Sequence, residues 1–461
     1  MTRSRTTLAR GAADATRVPT RKLLAGTAML AAGALLLAAC GGDDSDDTTG
    51  SSDSDDDAPS GEGETITLWH YESENGAMGI AWDEAMRIFE EETGATVEFE
   101  EKAFEQIRQS ANMILNTDEA PDIMEYNKGN ASAGLLASQG LLTDITGAVE
   151  EHGWDEMLSE SLQTTARYDE QGIMGSGSWY GVPNYGEFVM VFYNQDLFDE
   201  HGVEIPETYD DLISAMDTFV DADVTPLAMS GAEYPAGQLF YELALTQADR
   251  QFVNDYQLYE NPVDFNGPEL THAADTFADW VEAGYVPGDS AGLTAEDMGT
   301  SFIAGDYPML FSGSWWYGRF VDEIDGFDWG IFEFPGSELH PGSSGNLWVV
   351  PTASENPELA YEFIEITMRP EIQALLGNNG GVPVAADPED LDDEKSAELI
   401  TLFNEINEAD GLAFYPDWPA PGFYDDLASS VQQLINADAS PQDVLEQLQL
   451  AYDTGVDDFL N

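Results

Sequence analysis

From Thr65 onward the chain alternates between two rhythms of apolar residues. "TITLWHY" (65–71) has a period of two and predicts a strand. In "AWDEAMRIFEEET" (81–93), Trp82, Ala85, Met86 and Phe89 recur at helical spacing, and Gly94 is placed to stop the helix. "ATVEFEEK" (95–102) returns to strand, "FEQIRQSANMILN" (104–116) to amphipathic helix, and "APDIMEYN" (120–127) to a third short strand. Strands alternating with helices of about a dozen residues predict an α/β fold with a parallel sheet and crossover helices. Ligands of such sheets sit beyond the carboxyl ends of the strands, which here carry His70, Tyr71, Tyr126 and Asn127.

Further on, "WYGVPNYGEFVMVFYNQDLF" (179–198) is extended and punctuated by Gly and Pro, and leads into helices over 196–201 and 208–219 with Thr208 as N-cap. Residues 268–284 form another helical stretch closed by glycine. Residues 306–320 predict a strand, a glycine turn and a helix start, 345–367 a strand then a helix, and the tail from Phe423 is helical. No internal repeat is visible. Some 400 residues follow Glu64, more than one ordinary domain holds and enough for two.

The first 64 residues follow neither rhythm. Six basic residues precede an apolar run of 17 residues (23–39), which ends at Cys40, the only cysteine of the 461-residue chain. A basic start, a short apolar middle and a small-residue exit mark an export signal. The run is shorter and more Ala/Gly-rich than a membrane span of about 20 apolar residues. "LAAC" (37–40) resembles the bacterial lipobox, which implies cleavage before Cys40 and lipidation of its thiol. Residues 41–64 are Asp, Ser, Thr and Gly with almost nothing apolar, and predict a disordered, self-repelling tether.

After Cys40 only nine Lys and Arg face 88 Asp and Glu, a formal charge of −79. Nucleic acid is thereby excluded as a partner, because phosphate contact relies on Lys and Arg. Hydrophobics at 43% and aromatics at 11% of the chain still require a packed core. Such an acidic protein resembles those of salt-loving organisms, in which molar salt screens the self-repulsion. With so many acids, two neighbouring carboxylates carry no argument for acid–base catalysis. The five histidines (His70, His152, His201, His272, His340) lack ligand spacing, so no metal and no cofactor is expected.

Four stretches in order resemble the extracellular solute-binding proteins of ABC importers, specifically the sugar-binding class that includes maltose-binding protein. They are "ITLWHYESENGAMGIAWDEAMRIFEEETGATV", "YGVP" with "VFYNQDLFDEHGVEIPETYDDL", "FIAGDYPMLFSGSWW" and "GNLWVVPTASENPELAYEFIEI". The resemblance implies two hinged α/β lobes of discontinuous chain, 65–185 plus 335–383 and 186–334 plus 384–461, behind a signal peptide (1–39) and a linker (40–64). Crossings are expected near 184–187, 332–335 and 382–384. It also implies a lipid-anchored monomer on the outer face of the cell membrane that captures a sugar or oligosaccharide and delivers it to ABC permease transmembrane subunits.

Sugars present flat apolar faces rimmed by hydroxyls, so a site needs aromatic platforms beside hydrogen-bonding groups. The resemblance places Trp315 at a stacking position with Trp316 beside it, Tyr126 at an aromatic position and Glu187 at the place of a hydroxyl-accepting acid. Tyr185 lies two residues earlier on the same face if the segment is extended. Glu233 with Tyr234, and Phe423 with Tyr424, fall on further acid and aromatic positions. The end of the first strand and the loop after it supply His70, Tyr71 and Glu74, without the lysine that maltose binders can carry there, and the end of the third strand supplies Asn127. Two alternatives stand beside this reading. An anionic solute would need convergent cations, for which Lys128 and Arg319 are the candidates. A glycosidase would need a carboxylate pair, for which only Glu187 and Glu233 qualify.

Overall fold

The computed structural model describes residues 61–384, 391 and 394–461. The expected signal, the expected lipidation site Cys40 and the expected linker as far as Ser60 lie outside the described residues. The last four linker residues do not behave as a disordered tether. Gly61 is buried, its N–H bonds the carbonyl of Thr93 at 2.9 Å, and the Glu64 carbonyl accepts from Thr96.

Strand β1 (Thr65–His70) is followed by helix α1 (Ala77–Thr93), β2 (Thr96–Glu101), α2 (Phe104–Ile114) and β3 (Ile123–Tyr126). Helix α1 begins four residues earlier than its apolar spacing suggested and ends as expected, with Gly94 at φ +72° donating to Glu90. Short β4 (Val182–Pro183) precedes β5 (Tyr185–Asn194), in which all ten residues are buried. Burial on both faces accounts for its unbroken run "FVMVFY". Helices α3 (Gln195–His201) and α4 (Tyr209–Asp221) follow, the latter opened by a capping box between Thr208 and Asp211. Then come β6 (Leu227–Ala228), α5 (Tyr234–Leu245), α6 (Pro268–Ala283), α7 (Ala295–Ile303), β7 (Met309–Gly313), α8 (Tyr317–Glu323) and β8 (Trp329–Phe332). The chain continues through β9 (Gly342–Ser344), β10 (Leu347–Val349), α9 (Pro357–Met368), α10 (Pro370–Asn378), β11 (Val382–Pro383), α11 (Phe423–Ile435) and α12 (Pro441–Leu460).

These strands build two mixed sheets. The first has the order β2-β1-β3-β10-β4, parallel through β1, β2 and β3 and antiparallel at β10. The second has the order β8-β5-β7-β6, with β5 antiparallel to both neighbours. The start of β5 also pairs with β9 and β11, so three segments lie side by side where the chain passes from one sheet to the other. The passage expected near 332–335 lies about ten residues later. Strand β8 still belongs to the second sheet at Phe332, the carbonyl of Pro341 still accepts from Val189 of β5, and the chain joins the first sheet only at Leu347.

Candidate functional site

The carboxyl ends of β1 and β3 deliver Tyr71, Glu72, Asn127 and Lys128 to one cavity of about 210 Å³. Strand β5 adds Tyr185 and Glu187, two residues apart on one face, and the segment between β9 and β10 adds Asn346. The first turns of α5 and α2 supply Tyr234, Gln238 and Phe104. Trp315 comes from the turn after β7, Tyr415, Asp417 and Trp418 from a Pro-rich loop, and Tyr424 from the start of α11.

One side of the cavity is polar. The Lys128 ammonium, its side chain 2% exposed, pairs with Glu187 and donates to Asn346 Oδ1 at 3.2 Å. Asn346 Nδ2 donates to the Tyr185 hydroxyl at 2.6 Å, and that hydroxyl lies 3.2 Å from Glu125 Oε1 and 3.4 Å from Glu72 Oε1. Burial pushes the carboxyls of Glu72 and Glu125 up, Glu125 further, so Glu125 keeps its proton and hydrogen-bonds Glu72. Burial also raises Asp417 to about 6. Lys128 and Glu187 thus neutralise each other and Glu72 and Glu125 share a proton, while Asp417 is ionised at neutral pH.

The other side is aromatic. Trp315 Nε1 donates to the Tyr234 hydroxyl at 3.1 Å, and the two rings meet edge to face with centroids 5.7 Å apart. Trp315 continues to Tyr415 (6.2 Å) and Tyr415 to Trp418 (5.2 Å). Lys128 lies 5.5 and 5.4 Å from the centroids of the Tyr415 and Trp418 rings, a cation–π contact that further settles its buried charge. Two glycines make room for the indoles, because a Cβ on Gly313 would overlap Trp315 and one on Gly129, at φ +92°, would overlap Trp418. The buried Tyr71 hydroxyl and Gln238 Oε1 have no hydrogen-bond partner among the described residues. An orphaned buried polar group is costly unless something bonds it.

Of the residues the sequence nominated, Tyr71, Asn127, Tyr185, Glu187, Tyr234, Trp315 and Tyr424 line this cavity. The others do not. His70 stacks on Phe99 at 4.2 Å, its Nδ1 accepts from the Glu72 N–H, and burial lowers its pKa to about 3, so it is a neutral structural residue. Glu74 is exposed on an outer groove between α1 and α10. Tyr126 points behind Asn127 toward Ile107 and Arg108, as strand alternation requires. Glu233 accepts from the Ala295 N–H at 2.7 Å and so caps α7. Trp316 is sandwiched between Phe320 and Arg319, and Phe423 packs on Tyr256, Phe265 and Tyr452. The glycosidase pair is therefore not assembled. Arg319 is bound to Glu296 and Glu323 outside the cavity, leaving Lys128 as the cation lining it among the described residues. Phe104, Gln238, Asn346, Tyr415, Asp417 and Trp418 line the cavity without having been nominated by the sequence, and Glu72 joins it although no role was expected for it.

The chain matches the family model of the bacterial extracellular solute-binding proteins over residues 72–374. A relative named probable sugar-binding periplasmic protein, from Rhizobium meliloti (strain 1021), is 23% identical over 261 residues, 56% of this chain and 61% of its own. The chain thus spans about three-fifths of that relative's length. Among solved structures, a chitin oligosaccharide binding protein superimposes with a TM-score of 0.73 at 21% identity, covering 85% of this chain and 99% of that one. The GacH receptor of Streptomyces glaucescens, solved unliganded and with acarbose, gives a TM-score of 0.71 at 19% identity over 86% and 99%. At these identities the likeness to the solved structures is one of fold: two α/β lobes of discontinuous chain.

Proposed function

The chain belongs to the bacterial extracellular solute-binding proteins, and we propose that it captures an uncharged sugar or short oligosaccharide and delivers it to the transmembrane subunits of an ABC importer. One observation carries this reading: a row of aromatic rings faces a polar side in which Lys128 is already paired with Glu187 and Glu72 shares a proton with Glu125. Rings of that kind suit the apolar face of a sugar, and amides, hydroxyls and the paired acid suit its hydroxyls. The free polar ends of Tyr71 and Gln238 supply two further contacts. The names of the relatives, which speak of sugars, chitin oligosaccharides and acarbose, support the same ligand class. An anion is disfavoured, since the cation lining the cavity is bound to Glu187 and the carboxyls of Glu72 and Asp417 also line it.

In this reading the protein acts as a monomer held to the outer face of the membrane through Cys40, and it retains its ligand without cleaving it. The lobes pivot about the strands where β5, β9 and β11 meet. The test is a thermal-shift screen of neutral sugars and organic anions in molar NaCl, with product analysis of each sugar. A ligand that binds only the folded state raises the melting temperature. Stabilisation by neutral sugars with no cleavage is expected. Stabilisation by anions alone would overturn the ligand class, and released product would overturn the non-catalytic role.

A further inference from the structure

At one end of the cavity, beside Tyr71, Phe104 and Tyr424, helix α2 and the start of helix α11 are clasped together. The Tyr424 hydroxyl donates to Glu105 Oε1 at 2.7 Å. Arg108 lies with its guanidinium 3.9 Å from the centroid of the Tyr424 ring, donates to Glu105 Oε2 at 2.8 Å and reaches Asp425 Oδ1 at 3.0 Å. Helix α2 belongs to the crossover between β2 and β3 of the first sheet, whereas α11 packs on α5, α6 and α12 beside the second. The clasp therefore bridges the two halves of the molecule. Behind it, the space among Tyr71, Phe104, Arg108 and Tyr126 leaves no room for even a water-sized group. The adjoining wall is also knitted shut: Ala131 N–H bonds the Trp418 carbonyl at 2.9 Å, Asn130 bonds the Gln257 carbonyl at 2.7 Å, and Gln257 bonds the Tyr415 carbonyl at 2.8 Å.

We infer that the cleft is blind at the α2–α11 end and admits a saccharide of one or two rings, with Arg108 as the residue that sets the length limit. This rests on the sugar reading above and adds its size. The cavity volume of about 210 Å³ agrees with it, lying below the roughly 300–1,000 Å³ of pockets that hold drug-sized ligands. A sugar chain continuing past Tyr424 would have to part the Arg108–Asp425 and Tyr424–Glu105 contacts and strip Arg108 of its aromatic platform. Asp425 is mostly exposed, so the clasp is not itself part of the core.

The experiment is calorimetric titration in molar NaCl with three neutral series, each from monomer to hexamer: α-1,4-linked glucose, β-1,4-linked xylose and β-1,4-linked N-acetylglucosamine. In the series that binds, affinity should peak at one or two rings and fall at least tenfold by four. Arg108→Ala should raise the ratio of tetramer to dimer affinity at least tenfold, a ratio that a loss of general stability does not move. If that variant fails to fold, Asp425→Asn loosens the same clasp from its exposed side and should shift the ratio in the same direction. Tightest binding at four rings or more overturns the length limit and leaves the sugar reading standing. An unchanged ratio in the variants overturns the role of Arg108. Binding by no member of any series overturns the sugar reading and the limit together.

Discussion

The chain sets a basic side chain against glutamate in two contrasting places. On α1, Arg87 bonds Glu84 and Glu91 with side chains 51%, 37% and 68% exposed. In the cleft, Lys128 bonds Glu187 with side chains 2% and 7% exposed. The outer pair lies in high dielectric, loses side-chain entropy and is screened by salt, so it contributes little. The inner pair has given up its hydration, and its ions are held by each other, by Asn346 and by two aromatic rings. Counting charges cannot tell these settings apart, and in a protein with so many acids it points nowhere. Burial and partnership separate the acids that suit a salty medium from those that shape a binding site.

The sharpest test of that contrast is Lys128→Met. Removing one partner of a buried pair leaves an uncompensated charge at a cost of about 3–5 kcal/mol. Denaturant unfolding in molar NaCl should show that loss, and Lys128→Met/Glu187→Gln should restore most of it. A single variant no worse than Arg87→Ala would erase the distinction between the two settings.

Next in size, Trp315→Ala removes an aromatic platform worth about 2 kcal/mol at a hot spot. Sugar affinity should drop about 30-fold by titration, with less lost stability than Trp348→Ala, whose ring is 1% exposed in the core. Unchanged affinity with a large drop in melting temperature would make Trp315 a core residue.

Asp417 gives a smaller, pH-dependent effect. With its pKa raised to about 6, the folded protein keeps a proton that the unfolded chain releases above its ordinary 3.8. Stability from this group is therefore present at low pH and lost as pH rises through about 4 to 6. At about 1.4 kcal/mol per tenfold change in proton affinity the full rise is worth about 3 kcal/mol, and the partial exposure of Asp417 to water reduces it, so Asp417→Asn should come close to wild type at pH 4 and exceed it by about 1–2 kcal/mol at pH 7. The other acids cancel in this comparison. Parallel pH profiles would show that Asp417 is solvated. Smallest of all, Arg87→Ala should cost little in dilute buffer and nothing measurable in molar salt, whereas the Lys128 effect should survive the salt.

The alternation of strand and helix was legible because β1, α1 and α2 each have one buried face, and Thr208, Gly94 and Gly284 carry their capping chemistry locally. About half of the cavity was legible: Tyr71 and Asn127 follow from strand ends, Glu187, Tyr234, Trp315 and Tyr424 from the resemblance, and Tyr185 from strand alternation relative to Glu187. Trp316 and Phe423 misled because each neighbours a true lining residue, and only the backbone direction at a turn or helix start decides which ring faces inward. The greatest omission was "FYPDWPAPGF" (414–423), which supplies Tyr415, Asp417 and Trp418. It has no periodicity to read, and its role arises from long-range packing against Gly129 and Lys128. Aromatic and acidic residues crowded among prolines were the signal it offered. Gln238 was hidden differently, inside a helix buried almost throughout.

The scarcity of cations also bears on proteolysis. Trypsin-like enzymes must draw a Lys or Arg side chain into their specificity pocket, where an acid receives it. All nine such side chains after Cys40 are already occupied in the folded protein: Arg167 by the Gly177 carbonyl, Arg250 by Asp410, Arg369 by Glu92 and Glu362, Lys102 by Glu100 and Trp69, Lys395 by Trp329, and the remaining four as described above. A fold dressed in acid to suit salt is by the same composition a poor substrate for the proteases that cut at basic residues.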